Sequence, residues 1–299
     1  MSTLTNVPGP TTIIAPPLPI PPDEELTAPS VMLLGESGTG KTDVLGELPL
    51  LVEKLFVIVT EPNGLESLLD SIDRRKADLN KVHYHVIGPA RANFQELEQL
   101  ARKVSVSNHE TLSKQLPGNR YGAKMIDCMG VFHNFVCHRT KQSFGSLDKL
   151  GPFNAVAVDS LSGLTSMAWD VTVGDKLTAH PGEWGIGQNL IDKALLSWTS
   201  NLKCLFVLTG HLERETDEIS QGTKLMASTL GKKLAPKLPR FFSEVVMAST
   251  ENGQFYWHTA YPGVALKRRA LPLGNKLDPS FRPIIERYKQ RLEILSKKA

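Results

Sequence analysis

Eight consecutive residues, Gly35-Glu36-Ser37-Gly38-Thr39-Gly40-Lys41-Thr42, constrain what this chain can fold into more than any other feature. They match G-x-x-x-x-G-K-[ST] at every fixed position. The apolar run Val31-Met32-Leu33-Leu34 precedes them, and a helical pattern begins at Lys41. Strand, glycine-rich turn and helix in that order make a phosphate cradle. The glycines let backbone N–H groups turn inward around an anion, and the helix N-terminus adds partial positive charge. Lys41 is expected to reach the β- and γ-phosphates of a nucleotide, and the Thr42 hydroxyl to ligate magnesium. The expected cofactors are ATP and magnesium, held by Gly35 through Thr42.

Such a loop needs a parallel sheet around it, and the rest of the chain supplies the strands. Leu55 to Thr60, Val82 to Val86, Phe153 to Val158 and Cys204 to Thr209 read as short, continuously apolar strands, the pattern of a sheet buried on both faces. Helical spacing falls between them, over Leu65 to Ala77, Phe94 to Val104, Ala123 to His138 and Ile186 to Leu202. Pro49 should end or distort the helix that starts at Lys41. Trp169 to Gly187 is rich in glycine and polar residues and reads as a loop. Val245 to Ala248 and Gln254 to His258 flank Glu251-Asn252-Gly253, a hairpin signal. Pro279 to Lys298 reads as a basic amphipathic helix. The expected class is α/β, a mostly parallel central sheet with helices on both faces, closed by a C-terminal hairpin and helix.

The expected organisation has three parts. Residues 1–29 hold 8 of the 20 prolines, including Pro16-Pro17-Leu18-Pro19-Ile20-Pro21-Pro22. They read as a flexible leader or as an arm that docks on a neighbour. Residues 30–270 are expected to form the core, with an insertion over 105–150, and 271–299 a basic helical extension. A net charge of +3 is too small to imply a polyanion partner by itself. Three cysteines do not make a disulfide framework. No apolar run is long enough to span a bilayer, and no secretion signal is visible. A soluble, cytoplasmic protein without a membrane partner is the expectation.

In open α/β sheets ligands sit at the carboxyl ends of the strands. Gly35, Glu61, Asp159 and His211 all fall at such ends in the sequence. Asp159 closes Ala155-Val156-Ala157-Val158 and can hold the magnesium shell with Thr42. Glu61 can polarise the water that attacks a γ-phosphate, or can be an ordinary strand-end acid. His211 can contact the γ-phosphate or be structural. Cys128, His133, Cys137 and His138 match no common zinc spacing and read as buried residues. Gly222 to Phe242 carries Lys224, Lys232, Lys233, Lys237 and Arg240 without an acid. It reads as a stretch that tracks a phosphate backbone or as a solvated loop. Lys267-Arg268-Arg269 is either a surface patch or a finger on a neighbour's γ-phosphate.

The order and spacing of these residues resemble the RecA-like P-loop ATPase core, from about Ser30 to about Arg269. Gly35 to Thr42 resembles that family's phosphate loop, and Val158 to Thr165 its Walker B strand and following turn. The resemblance implies a catalytic role for Glu61. His211 lies where RecA itself has a γ-phosphate-sensing glutamine. DNA contacts are implied for about Ala168 to Gly187 and about Glu213 to Arg240, the second holding Lys224, Lys232, Lys233, Lys237 and Arg240. Lys267-Arg268-Arg269 is similar to the Lys-x-Arg element that some members place across a subunit interface, which implies that Lys267 and Arg269 act in trans. Thr209 to Phe242 is similar to phage-encoded RecA-like proteins associated with single-strand annealing and recombination, which would place the chain in the host cytoplasm.

The resemblance therefore implies a DNA-dependent ATPase acting on single-stranded DNA. It would work as a ring or filament homo-oligomer, with a single-strand DNA-binding protein as a further partner. A DNA motor, such as a helicase or packaging ATPase, shares the same core. A nucleotide-gated scaffold with incidental hydrolysis is the third reading.

Overall fold

The computed structural model describes residues 26–61, 63–89, 93–106, 122–174, 179–216, 223–231 and 233–297. The proline-rich segment 1–25, much of the expected insertion, Lys232 and Lys298 lie outside the described residues. Among the described residues no helix is long and apolar enough to cross a membrane.

The strands are β1 (Ser30–Gly35), β2 (Leu55–Val59), β3 (Val82–Val86), β4 (Ala155–Asp159), β5 (Leu205–Thr216), β6 (Thr223–Ala227), β7 (Glu244–Glu251) and β8 (Gln254–His258). The helices are α1 (Lys41–Leu45), α2 (Leu48–Leu51), α3 (Gly64–Arg74), α4 (Phe94–Val106), α5 (Ala123–His133), α6 (Leu161–Val173), α7 (Pro181–Asn201) and α8 (Arg282–Ser296). The sheet runs β3-β2-β4-β5-β1-β7-β8, with β6 off this path and paired to β5. Pairing is parallel from β3 through β7 and antiparallel for β7–β8 and β5–β6.

Successive strand residues point to opposite faces, and each face has its own core. Met32, Leu34, Phe56, Ile58, Val156 and Val158 pack with residues of α5, α6 and α7. Val31, Leu33, Leu55, Val57, Ala155 and Ala157 pack with residues of α1, α3 and α8. That double burial is why the central strands read as unbroken apolar runs. This is the α/β class with a mostly parallel sheet and helices on both faces that the sequence predicts.

Several elements differ from the expectation. The helix from Lys41 breaks at Gly46-Glu47 and restarts as α2 with Pro49 in its first turn, where a missing N–H costs nothing. The helix from Ala123 ends at His133, because Asn134 turns extended and Phe135 enters the core. Of Trp169 to Gly187, expected as a loop, residues 169–173 end α6 and 181–187 begin α7, while 175–178 lie outside the described residues. β5 does not stop at Thr209. It runs on through His211 to Thr216, because β6 pairs with Leu212 to Thr216. The stretch expected as a basic loop is thus half of a hairpin followed by a 3-10 helix, Ala235–Phe241. The β7–β8 hairpin is as predicted, with Asn252 and Gly253 both at positive φ.

Candidate nucleotide-binding site

β5 lies between β1 and β4, so the carboxyl ends of β1, β5, β4 and β2 stand side by side. Gly35 pairs with His211 and Val59 with Asp159, and Glu61 follows two residues beyond Val59. The four strand ends chosen from the sequence are therefore brought together.

The loop itself is closed by Thr39 Oγ1, which donates to the Glu36 carbonyl at 2.8 Å. Lys41 opens α1 and is buried. Its Nζ donates to the carbonyls of Gly35 at 3.0 Å and Glu36 at 2.7 Å. Burial pulls the Lys41 pKa below the ordinary lysine value, against the nearby Asp159 and Glu61 carboxylates, which pull it up. The ammonium is thus held with little water around it, and a charge so placed interacts strongly with a phosphate.

Asp159 is buried at the end of β4. Its Oδ2 accepts from Thr42 Oγ1 at 2.8 Å and its Oδ1 accepts from Thr209 Oγ1. Burial raises its pKa, and the two threonine hydroxyls oppose that shift. Thr60 ties β2 to the next turn: its Oγ1 accepts from the Ser160 amide at 2.6 Å and donates to the Ser160 carbonyl at 2.8 Å. α6 can begin there only because Gly163 has no side chain, since a Cβ would meet Thr60 Oγ1 at 2.4 Å. Ser160 Oγ donates to Glu61 Oε1, and the same carboxylate oxygen stands 3.5 Å from His211 Nε2. Glu61 and His211 are partly exposed, facing the cavity rather than the core.

The cavity over the loop measures about 390 Å³ and is lined by Ser37 to Asp43, Glu61, Asp159, Ser160, His211, residues of α3, and Phe255. The α3 wall presents Ser67, Asp70 and Arg74. It is fixed to α1 by Asp43, which binds Arg75 at 2.7 Å and also Arg74. These pairs hold the Asp43 carboxyl below the usual carboxylate range, against its burial. The opposite wall is the β7–β8 hairpin. Thr250 Oγ1 donates to the Gly38 carbonyl at 3.1 Å, and the Phe255 ring packs on Gly40. Gly40 has φ 78, and a Cβ there would meet the ring at 2.7 Å, so two independent constraints demand glycine.

The donor set fits a magnesium nucleotide. Among the described residues no group of three or more His, Cys, Asp or Glu side chains is placed to hold a metal ion. One carboxylate and one hydroxyl, Asp159 and Thr42, are what magnesium takes from a protein when phosphate oxygens and water complete its shell. Cys128 and Cys137 are buried and free, as expected, but His133 is exposed, His138 is only partly buried, and Cys137 and His138 lie beyond the end of α5.

Sequence reasoning missed Thr60, Thr209, Ser160 and Phe255. Thr60 and Thr209 carried a signal, being hydroxyls in otherwise apolar strands. Phe255 carried none, because its reach to Gly40 exists only once β7 pairs with β1.

The remaining expected residues are not gathered here. Lys267 pairs through its backbone with Val245, near the start of β7, three residues before Ala248, the partner of Gly35. The Arg269 amide donates to the buried Glu244 at 2.9 Å. Lys267, Arg268 and Arg269 are exposed at the amino-terminal edge of the sheet, far from the phosphate loop of their own chain. Arg240 makes two 2.7 Å bonds to Asp192 on α7 and stacks over Phe241 at 4.6 Å. Lys224 lies on β6, Lys233 just before the 3-10 helix, and Lys237 within it.

No protein-family model and no curated protein matches the sequence. Among solved structures the chain is similar to the assembled ATPase EscN, in complex with its central stalk EscO, from the enteropathogenic E. coli type III secretion system. The TM-score is 0.40 at 10% identity, covering 97% of this chain and 65% of that one. The chain thus spans less than two thirds of the length of that structure's chain, and likeness at this level says nothing of activity or partners.

Proposed function

We propose that this chain binds ATP with magnesium and hydrolyses it. The observation that carries the reading is the meeting of two pairs around Lys41: Thr42 with Asp159, and Glu61 with His211. The first pair offers hard oxygens to a magnesium ion, which when bound offsets phosphate charge. The second holds a carboxylate whose free oxygen can orient and deprotonate a water. Ser160 and His211 fix the orientation of that carboxylate. Lys41 supplies a partly desolvated positive charge to the phosphates, and the loop amides supply the rest.

The finer reading is a homo-oligomer that acts on single-stranded DNA, in annealing or recombination, with Lys267 and Arg269 completing a neighbour's site. Their exposure at the sheet edge opposite the phosphate loop supports a role in trans rather than in cis. For DNA the support is Lys224, Lys233 and Lys237, on β6 or in the segment that follows it. The pairing of Arg240 with Asp192 leaves the DNA reading with one cation fewer, and nucleotide-gated assembly without DNA is the second reading. Hydrolysis measured with and without single-stranded DNA, at low and moderate salt, separates the two. Stimulation that fades with salt supports DNA dependence, since phosphate contacts release counterions. Turnover indifferent to DNA favours assembly.

A further inference from the structure

We propose that the groove between α2 and α8 is the seat of the chain's own proline-rich segment, Pro16 to Pro22. The groove measures about 540 Å³ and lies at the amino-terminal side of the sheet, away from the nucleotide cavity. Leu50, Leu51, Phe153 and Leu292 give it an apolar strip beside Glu53 and Glu293, and Leu50 and Phe153 are 52% and 40% exposed. Lys81 and Lys289 stand at its rim. Lys289 Nζ lies 5.9 Å from the centre of the Phe153 ring and donates to the Leu51 carbonyl at 3.3 Å, and Lys81 Nζ donates to the carbonyls of Pro49 and Val52, each at 3.3 Å.

That chemistry matches a polyproline helix. Proline has no N–H, so such a segment presents carbonyl acceptors alone and needs donors from its partner. Each lysine ammonium has three donors, more than its carbonyl bonds here use. An exposed aromatic with apolar neighbours is the surface on which proline rings pack.

The path of the chain fits as well. Leu26, Thr27 and Pro29 rest beside Arg287, Tyr288 and Arg291 of α8, whereas Lys289 and Leu292 of the same helix face the groove. The N-terminal segment therefore begins one helix width, about 10–12 Å, from the proposed seat. Asp23-Glu24-Glu25 spans about 10 Å when extended. It would cross a helix that carries Arg287, Lys289 and Arg291. Pro16 to Pro22, at about 3.1 Å per residue, is then about 22 Å long. α8, with 15 residues at about 1.5 Å each, has the same length. Docking in this way covers exposed apolar surface and clamps the C-terminal helix to α2.

The test uses the full chain with a photoreactive benzoylphenylalanine in place of Leu18, irradiated as an equal mixture of isotopically heavy and light protein. The expected result is crosslinks to residues 50–53, to Phe153 or to residues 289–296, joining residues of the same chain. Ile20→Asp and Lys289→Glu should each reduce their yield several-fold and lower the melting temperature slightly, with the fold retained by circular dichroism. Crosslinks mapped only elsewhere, crosslinks joining heavy to light chains, or a yield unmoved by both substitutions would overturn the proposal.

Discussion

Thr42 and Asp159, 117 residues apart in sequence, meet with Thr42 Oγ1 donating to Asp159 Oδ2 at 2.8 Å. The carboxylate sits in a buried place that raises its pKa, so the folded protein holds its ionised form at a cost. Asp159→Asn removes the charge and keeps an acceptor oxygen for one threonine, while its NH2 can donate to the hydroxyl oxygen of the other. Hydrolysis should fall about 100-fold or more, as expected for loss of a charged metal ligand. Stability at neutral pH should hold or rise by about 1 kcal/mol, a few degrees in melting temperature. The sign follows from the raised pKa. The penalty is present once pH exceeds the folded value and vanishes below the unfolded one. A variant that melts well below the wild type would contradict this.

Phe255 and Gly40 form one wall of the cavity. Removing the ring in Phe255→Ala should weaken ATP binding by about 1 kcal/mol, roughly five-fold, by calorimetry. Gly40→Ala should be far worse, since its φ of 78 strains any side chain and the Phe255 ring occupies the space. Equal affinity in the two variants would show that the ring and the loop are uncoupled.

His83 is buried on β3 between Phe56 and Phe144, with neither ring nitrogen hydrogen-bonded. Burial first, then the cations of Lys54 and Arg139, lowers its pKa from 6.5 to about 4. The unfolded chain therefore takes up the proton more readily than the folded one. Its contribution to stability is full above pH 6.5 and is lost as pH falls toward about 4, an effect of up to roughly 3 kcal/mol. Denaturant melts of His83→Phe across that range should show a flatter acid limb than the wild type. Parallel limbs would assign the acid loss to other groups.

Arg240 and Lys237 share the 3-10 helix but have different surroundings. Arg240→Ala breaks a partly exposed pair with Asp192 and should lower stability by no more than about 1 kcal/mol. It should leave the salt dependence of any DNA binding unchanged. Lys237→Ala should reduce the slope of log affinity against log salt by about one. The reverse pattern would return Arg240 to the DNA surface.

The phosphate loop, Asp159 and Glu61 were legible because their chemistry is local: a strand end followed by a turn needs no distant partner to be recognised. What sequence misread, tertiary contact decided. Gly182, Gly185 and Gly187 argue against a helix by intrinsic propensity. Yet α7 runs through all three, and a Cβ on Gly187 would meet Leu230 at 2.5 Å, so glycine there admits the segment after β6. His211 read as a strand end because the pairing that carries β5 onward comes from Thr223–Ala227 across a separate stretch of chain. The stretch around Arg240 carries no acid of its own, and its partner Asp192 is invisible in sequence because it lies on a different helix.

The most direct test of the central claim is magnesium-dependent ATP turnover by the wild type, Lys41→Ala and Glu61→Gln, with nucleotide binding followed in parallel. The wild type should hydrolyse ATP and stop when magnesium is chelated. Glu61→Gln should bind ATP with unchanged affinity and turn over about 100-fold or more slowly. Lys41→Ala should lose both binding and turnover. Wild-type turnover persisting in Lys41→Ala, or a fully active Glu61→Gln, would contradict the account.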